Sequence, residues 1–203
     1  SQNIAIGTNS MSNFTGSSTA ANNIAIGNNS AYLITTGFSN ICVGELAGSQ
    51  IGSTSSNIFI GHKSGQSVTS GNKNIILGNN SGKNGVGSCN IIIGENNGNQ
   101  YTGNDNYIIG GSNAITVGKG VSGNKNLIFA NSSCKEITGN SNLIYGISQA
   151  TTSITGSRNL VFGMNSSSDL SGNDNIIIGT SNVTNSTSSS SNIIIGNGIT
   201  NLQ

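Results

Sequence analysis

The stretch "NIIIGENNGNQYTGNDNYIIGG", residues 90–111, states one pattern twice. Asn90 is followed by three apolar residues and Gly94, a polar run leads to Thr-Gly-Asn-Asp, and Asn106 begins again with Tyr107, Ile108, Ile109 and Gly110. A three-residue apolar run is too short for a helix, and Ile and Val bounded by Asn and Gly are strand signals.

Working outward, the motif Asn, apolar, x, apolar, Gly begins at Asn3, Asn23, Asn40, Asn57, Asn74, Asn90, Asn106, Asn126, Asn142, Asn159, Asn175 and Asn192. The spacing is 16 or 17 residues except from Asn3 to Asn23 and from Asn106 to Asn126, where it is 20. Only Ala130 replaces the closing Gly. A second, weaker strand is expected later in the repeat, marked by Val68, Tyr101, Ile137, Ile154 or Leu170 among Ser and Thr. Two short strands and two turns per repeat describe one coil of a solenoid. Such a coil cannot bury its apolar side alone, so copies stack at the ~4.8 Å strand spacing. The expectation is an all-β parallel β-solenoid of about 12 coils of 16–17 residues, with residues 1–203 forming a single repeat domain.

Composition is compatible with this order. Apolar residues make up 33% of the 203, charged residues 6%, and the net charge is +1. Disordered chains scatter few hydrophobics among many charges, whereas these Ile, Leu and Val recur at fixed intervals. The near-neutral balance argues against a nucleic-acid partner, and no run of ~18 apolar residues suggests membrane insertion. The opening residues, "SQNIAIG", begin within the repeat and carry no signal-peptide features. Cys42, Cys89 and Cys134 lie at unmatched points of the repeat, so three separate thiols are expected.

The corners have the chemistry they need. Gly after the triplet, and Gly in "TGND", "TGNS", "TGSR" and "SGND", suit positive φ. The repeat Asn reads as a corner residue whose side chains ladder between coils. The residue before it runs Lys73, Cys89, Asp105, Lys125, Ser141, Arg158, Asp174, Ser191, so Asp105 falls beside Lys125 and Arg158 beside Asp174.

Alternation along a strand places the first and third triplet residues on one face, here assigned to the interior. The middle position then points outward, and down the chain it reads Ala5, Ala25, Cys42, Phe59, Ile76, Ile92, Ile108, Ile128, Ile144, Val161, Ile177 and Ile194. An exposed Ile stripe of that length exceeds what soluble monomers usually show. Phe59, Ile76, Ile92, Ile108, Ile128, Ile144, Val161, Ile177 and Ile194 are therefore expected to form an oligomer core, with the small Ala5 and Ala25 marking closer approach of the chains at the N-terminal end.

"NIAIG" at 3–7 and 23–27, followed by "NNSAY" at 28–32, closely resembles the repeats of trimeric autotransporter adhesin heads and of related phage and viral tail fibres, over essentially the whole chain. The resemblance implies a left-handed β-roll and a homotrimer. The repeats here are a little longer than is common in that family. The neck, coiled-coil stalk and membrane-anchor barrel of complete adhesins have no counterpart in these residues, which favours either a fibre segment anchored through a capsid, tail or stalk protein or a viral surface protein.

Chemistry has few candidates. His62 is the one histidine and follows Gly61 at a corner, so neither a His-based metal site nor a His relay is expected. The acids Glu45, Glu95, Asp105, Glu136, Asp169 and Asp174 fall at differing phases of the repeat, which leaves a paired-carboxylate glycosidase remote. No cofactor is expected. The leading expectation is a non-enzymatic fibre, extracellular on a virion or cell surface, meeting a glycan or protein receptor through loops such as 8–22, 45–56 or 110–125. The alternatives are a purely structural capsid-decorating spike or self-assembling filament and, more remotely, an ice-binding solenoid using Thr69, Thr102, Thr138 and Thr155.

Overall fold

A computed structural model describes residues 2–14, 19–111, 120–131, 134–147, 152–164, 170–182 and 190–199. The apolar triplets are strands, as their composition requires. They are β1 (Ile4–Ile6), β2 (Ile24–Ile26), β3 (Ile41–Val43), β4 (Ile58–Ile60), β5 (Ile75–Leu77), β6 (Ile91–Ile93) and β7 (Tyr107–Gly110). The series continues with β9 (Leu127–Asn131), β11 (Leu143–Ile147), β13 (Leu160–Phe162), β15 (Ile176–Thr180) and β16 (Ile193–Asn197). These pair in parallel and in sequence order as one 12-stranded sheet, each triplet in register with the next. No helix occurs among the described residues. The chain is a parallel β-solenoid.

A second sheet of four parallel strands forms in the C-terminal half from β8 (Val121–Ser122), β10 (Cys134–Thr138), β12 (Thr152–Thr155) and β14 (Leu170–Ser171). Val121, Ile137, Ile154 and Leu170 point inward from it. The second strand expected in earlier repeats is reduced to isolated bridges from Ser70 to Val86 and from Val86 to Thr102. There the chain turns instead through left-handed residues such as Gly65, Gly82 and Gly98, with φ of 58, 59 and 58°, and Val68 and Tyr101 are still buried.

The facing of the triplet is the reverse of the sequence expectation. Phe59, Ile76, Ile92, Ile108, Ile128, Ile144, Val161, Ile177 and Ile194 are all buried within the chain's own core, not on an outer stripe. The cause is parity with the repeat Asn. Asn and the middle residue stand two positions apart in an extended segment and so share a face, and that Asn is interior. Asn40, Asn57, Asn74, Asn90, Asn106 and Asn126 are fully buried. Ala25 likewise fills the core and does not mark an approach between chains.

A buried amide is tolerated only if all its polar atoms are bonded, and here they are. Asn90 donates its backbone N–H (3.0 Å) and its Nδ2 (3.1 Å) to Oδ1 of Asn74, and sends Nδ2 also to the carbonyl of Gly103 (3.0 Å). The same Oδ1 bonds join consecutive members from Asn3 to Asn192. The carbonyls of the buried middle residues are also used. Ser30, from "NNSAY", donates Oγ to the carbonyl of Cys42, and Ser64 to that of Ile76, both at 2.8 Å.

A second ladder runs along the same corner, two residues before the buried Asn. The N–H of Ser88 donates to Oδ1 of Asn104, that of Asn104 to Asn124, and that of Asn124 to Asn140, each at 2.8 Å. In this ladder the earlier residue donates to the later one, whereas in the buried ladder the later donates to the earlier. Between the two, the residue before each buried Asn is left-handed yet is not glycine. The φ values of Lys73, Cys89, Asp105, Lys125, Ser141, Arg158, Asp174 and Ser191 lie between 58 and 63°. Arg158 and Asp174 in this column form a bidentate ion pair, Nε to Oδ1 at 2.6 Å and Nη2 to Oδ2 at 2.7 Å. Asp105 and Lys125 stand side by side in a shallow polar groove without closing one.

Candidate self-association face

Because Asn and the middle residue face inward, the first and third residues of every triplet face out. The first column runs from Ile4 to Ile193 and contains Ile, Leu and one Tyr. The third runs from Ile6 to Ile195 and contains Ile, Leu, Val, Phe and Tyr. No residue in either column carries a charge. Neighbouring strands shield these side chains partly, but Ile60 remains 42% exposed, Tyr145 50% and Ile195 66%.

Twelve strands at the ~4.8 Å spacing make the face roughly 50 Å long. With side-chain width it offers on the order of 600 Å² of apolar surface, at or above the largest patch of an ordinary soluble monomer and near one partner's share of a standard protein interface. The columns are not uniform. Phe129, Tyr145 and Phe162 stand one above another in the third, Tyr145 and Phe162 stacked with centroids 4.9 Å apart and planes within 8°, Phe129 tilted at 6.0 Å. A shallow cavity of about 230 Å³ lies beside them, lined by Ile109, Gly110, Phe129, Ala130 and Tyr145.

The other residues singled out by sequence are not brought together with this face. His62 stands half-exposed on a corner with Nδ1 3.0 Å from Oδ1 of Asn79 and Nε2 4.0 Å from Glu45. Among the described residues no three His, Cys, Asp or Glu side chains are grouped to hold a metal ion. Cys42 is buried in the core, where desolvation pushes its thiol up to about 12, and Cys89 is a half-buried free thiol. The Cys134 side chain, Asp169 and residues 112–119 of the 110–125 loop lie outside the described residues.

The expected Thr column is shifted and longer than the sequence suggested. Thr69 is not part of it. Thr102, Ser122, Thr138, Thr155 and Ser171 are in consecutive register, and Thr102 and Ser122 share a hydrogen bond of 3.2 Å.

No family model, curated protein or solved structure matches the chain.

Proposed function

We propose that the chain is the rod of a non-enzymatic surface fibre. Three copies pack their 12-stranded sheets around a common axis as left-handed β-rolls of about twelve coils, displayed on a virion or cell surface and attaching it to a receptor. The observation that carries this reading is the uncharged two-column outer face. It is too large to leave in water at little cost, and it repeats along the rod axis, so closed cyclic symmetry covers it without an open-ended polymer. The resemblance of "NIAIG" and "NNSAY" to adhesin-head and tail-fibre repeats points the same way.

Absolute mass by light scattering on a size-exclusion column tests the assembly. About three times the 20.4 kDa chain mass is expected. A monomer at micromolar concentration overturns the trimer, and polymers of indefinite length replace it with a structural filament. Attachment itself is read by binding of the fluorescently labelled assembly to candidate host cells.

The unbroken hydroxyl column from Thr102 to Ser171 favours one second reading, an ice-binding solenoid. Thermal hysteresis in a freezing assay would establish it, and its absence removes it.

A further inference from the structure

The regular surface is interrupted near the N-terminal end by a groove of about 570 Å³ lined by Ser12, Asn13, Phe14, Leu33, Thr35, Gln50 and Gly52. None of these residues belongs to the 12-stranded sheet, so covering the apolar face leaves the groove open. Its origin is local. Asn13 donates its N–H to the carbonyl of Tyr32, Leu33 to that of Ser49 and Thr35 to that of Gly52, which sets three successive repeats side by side. Gly52 stands next to Thr35 without a side chain, and a Cβ there would meet only the Gln50 carbonyl at 4.0 Å. Phe14 falls in the long 20-residue repeat and packs against the core only in part.

The lining is chemically mixed and carries no charge. Phe14 and Leu33 supply an apolar wall, while Asn13 and Gln50 offer amides that both donate and accept, and Ser12 and Thr35 offer hydroxyls. A volume of this size lies in the range of small-molecule sites, which combine apolar walls with a few orienting polar groups. A ligand that fits has a C–H face, a rim of hydroxyls and no formal charge. We propose that the groove binds a neutral pyranose unit of a glycan, its C–H face on Phe14 and Leu33 and its hydroxyls on Gln50, Asn13 and Thr35. An anionic sugar would leave its carboxylate or sulfate without a cation to meet it. This inference rests on the attachment reading and gives that function a receptor class and a place.

The test is ligand-observed NMR on the intact assembly with the methyl glycosides of galactose, glucose and N-acetylglucosamine, and with sialyllactose as the charged probe. At least one neutral glycoside is expected to bind, at least tenfold more weakly to Gln50→Ala and to Phe14→Ala. Gln50 is exposed, so its variant tests the groove even if the Phe14 variant proves unstable. Binding that is unchanged in Gln50→Ala and in any folded Phe14→Ala, confined to sialyllactose, or absent for every probe overturns the proposal. Light-scattering mass and cell binding on the same samples report separately on the fibre reading. A trimer that attaches to cells while the sugars fail leaves that reading standing and removes the groove.

Discussion

Asn106 donates two hydrogen bonds to the side-chain oxygen of Asn90, 3.0 Å from its backbone N–H and 3.1 Å from its Nδ2, inside a core where both residues are fully buried. Each Asn is thus acceptor to the next strand and donor to the one before. Removing one side chain therefore breaks bonds to both neighbours, and leaves the backbone N–H of the following Asn without its acceptor.

Replacing Asn90 with Ala is expected to leave the backbone N–H of Asn106 unpaired, and to take one of the two bonds of its Nδ2, which keeps the Gly123 carbonyl. An unsatisfied buried group costs about 1–3 kcal/mol, so a loss of about 2–4 kcal/mol is expected in urea denaturation. Asn90→Asp should be no better, because it sets an oxygen against the Asn74 oxygen and the Gly103 carbonyl that Nδ2 now reaches. A loss below about 1 kcal/mol for Asn90→Ala would show that the ladder contributes little.

The reversed facing of the triplet separates folding from assembly. Ile76→Ala removes a core side chain and should destabilise the fold by about 2–5 kcal/mol. The neighbouring double change Ile75→Ser with Leu77→Ser acts on the outer columns, so it should weaken association while leaving far-UV circular dichroism intact. Light scattering and denaturation of the two variants check this. Equal effects on both measurements would contradict the assignment of faces.

Tyr101 is fully buried, and its hydroxyl has no hydrogen-bond partner. The ring lies against Gly85, where a Cβ would collide with it. Tyr101→Phe keeps the packing and removes the orphaned hydroxyl. It should therefore leave stability unchanged or raise it by about 1 kcal/mol, whereas Gly85→Ala should lower it. A clear loss in Tyr101→Phe would mean that the hydroxyl is bonded in solution.

Burial raises the Cys42 thiol from its ordinary 9.0 to about 12, and burial also raises Tyr101. A raised folded pKa means the folded state holds its proton more tightly than the unfolded chain. Stability is then fully present below about pH 9 and falls as pH rises through the folded value. Denaturation between pH 8 and 11 should show that decline, and Cys42→Ala should flatten its part of it despite a lower starting stability. In native protein at pH 8, Cys89 should react with iodoacetamide and Cys42 should not.

Much of the architecture was legible because the period is written in residues whose chemistry is local. The triplets had to be strands, the closing Gly residues take positive φ as expected, such as Gly78 at 138°, and the Asn side chains do ladder. The facing does not follow from alternation alone, because Asn74 reads as a corner residue in the sequence, whereas it belongs to the extended segment and lies two positions before Ile76. Its amide is fully satisfied by neighbouring repeats, which makes the interior the natural place for it. The surface carried a second clue. Ile75 and Leu77 are both apolar, so either assignment left an apolar column outside, and parity with a buried Asn decides which. The ladder two residues before the buried Asn is hard to read from sequence because it mixes Ser88, Asn104 and Ser157, which share an acceptor oxygen and not a residue type. The groove at Phe14 could be located only as the 20-residue spacing after Asn3, since its shape depends on Gly52 two repeats on.

The left-handed column that includes Lys73, Cys89, Asp105, Lys125 and Arg158 holds a conformation that costs an L-residue roughly 1–2 kcal/mol relative to glycine. The backbone would accept Gly at each of these sites, yet the chain keeps a side chain there in repeat after repeat, and its identity changes freely from basic to acidic to thiol. The hydrogen-bonded strands on one side fix the interval, and the corner fixes the direction. The rod is in this respect a ruler, on which any chemical group set at that position is presented to solvent at a pitch the sheet dictates.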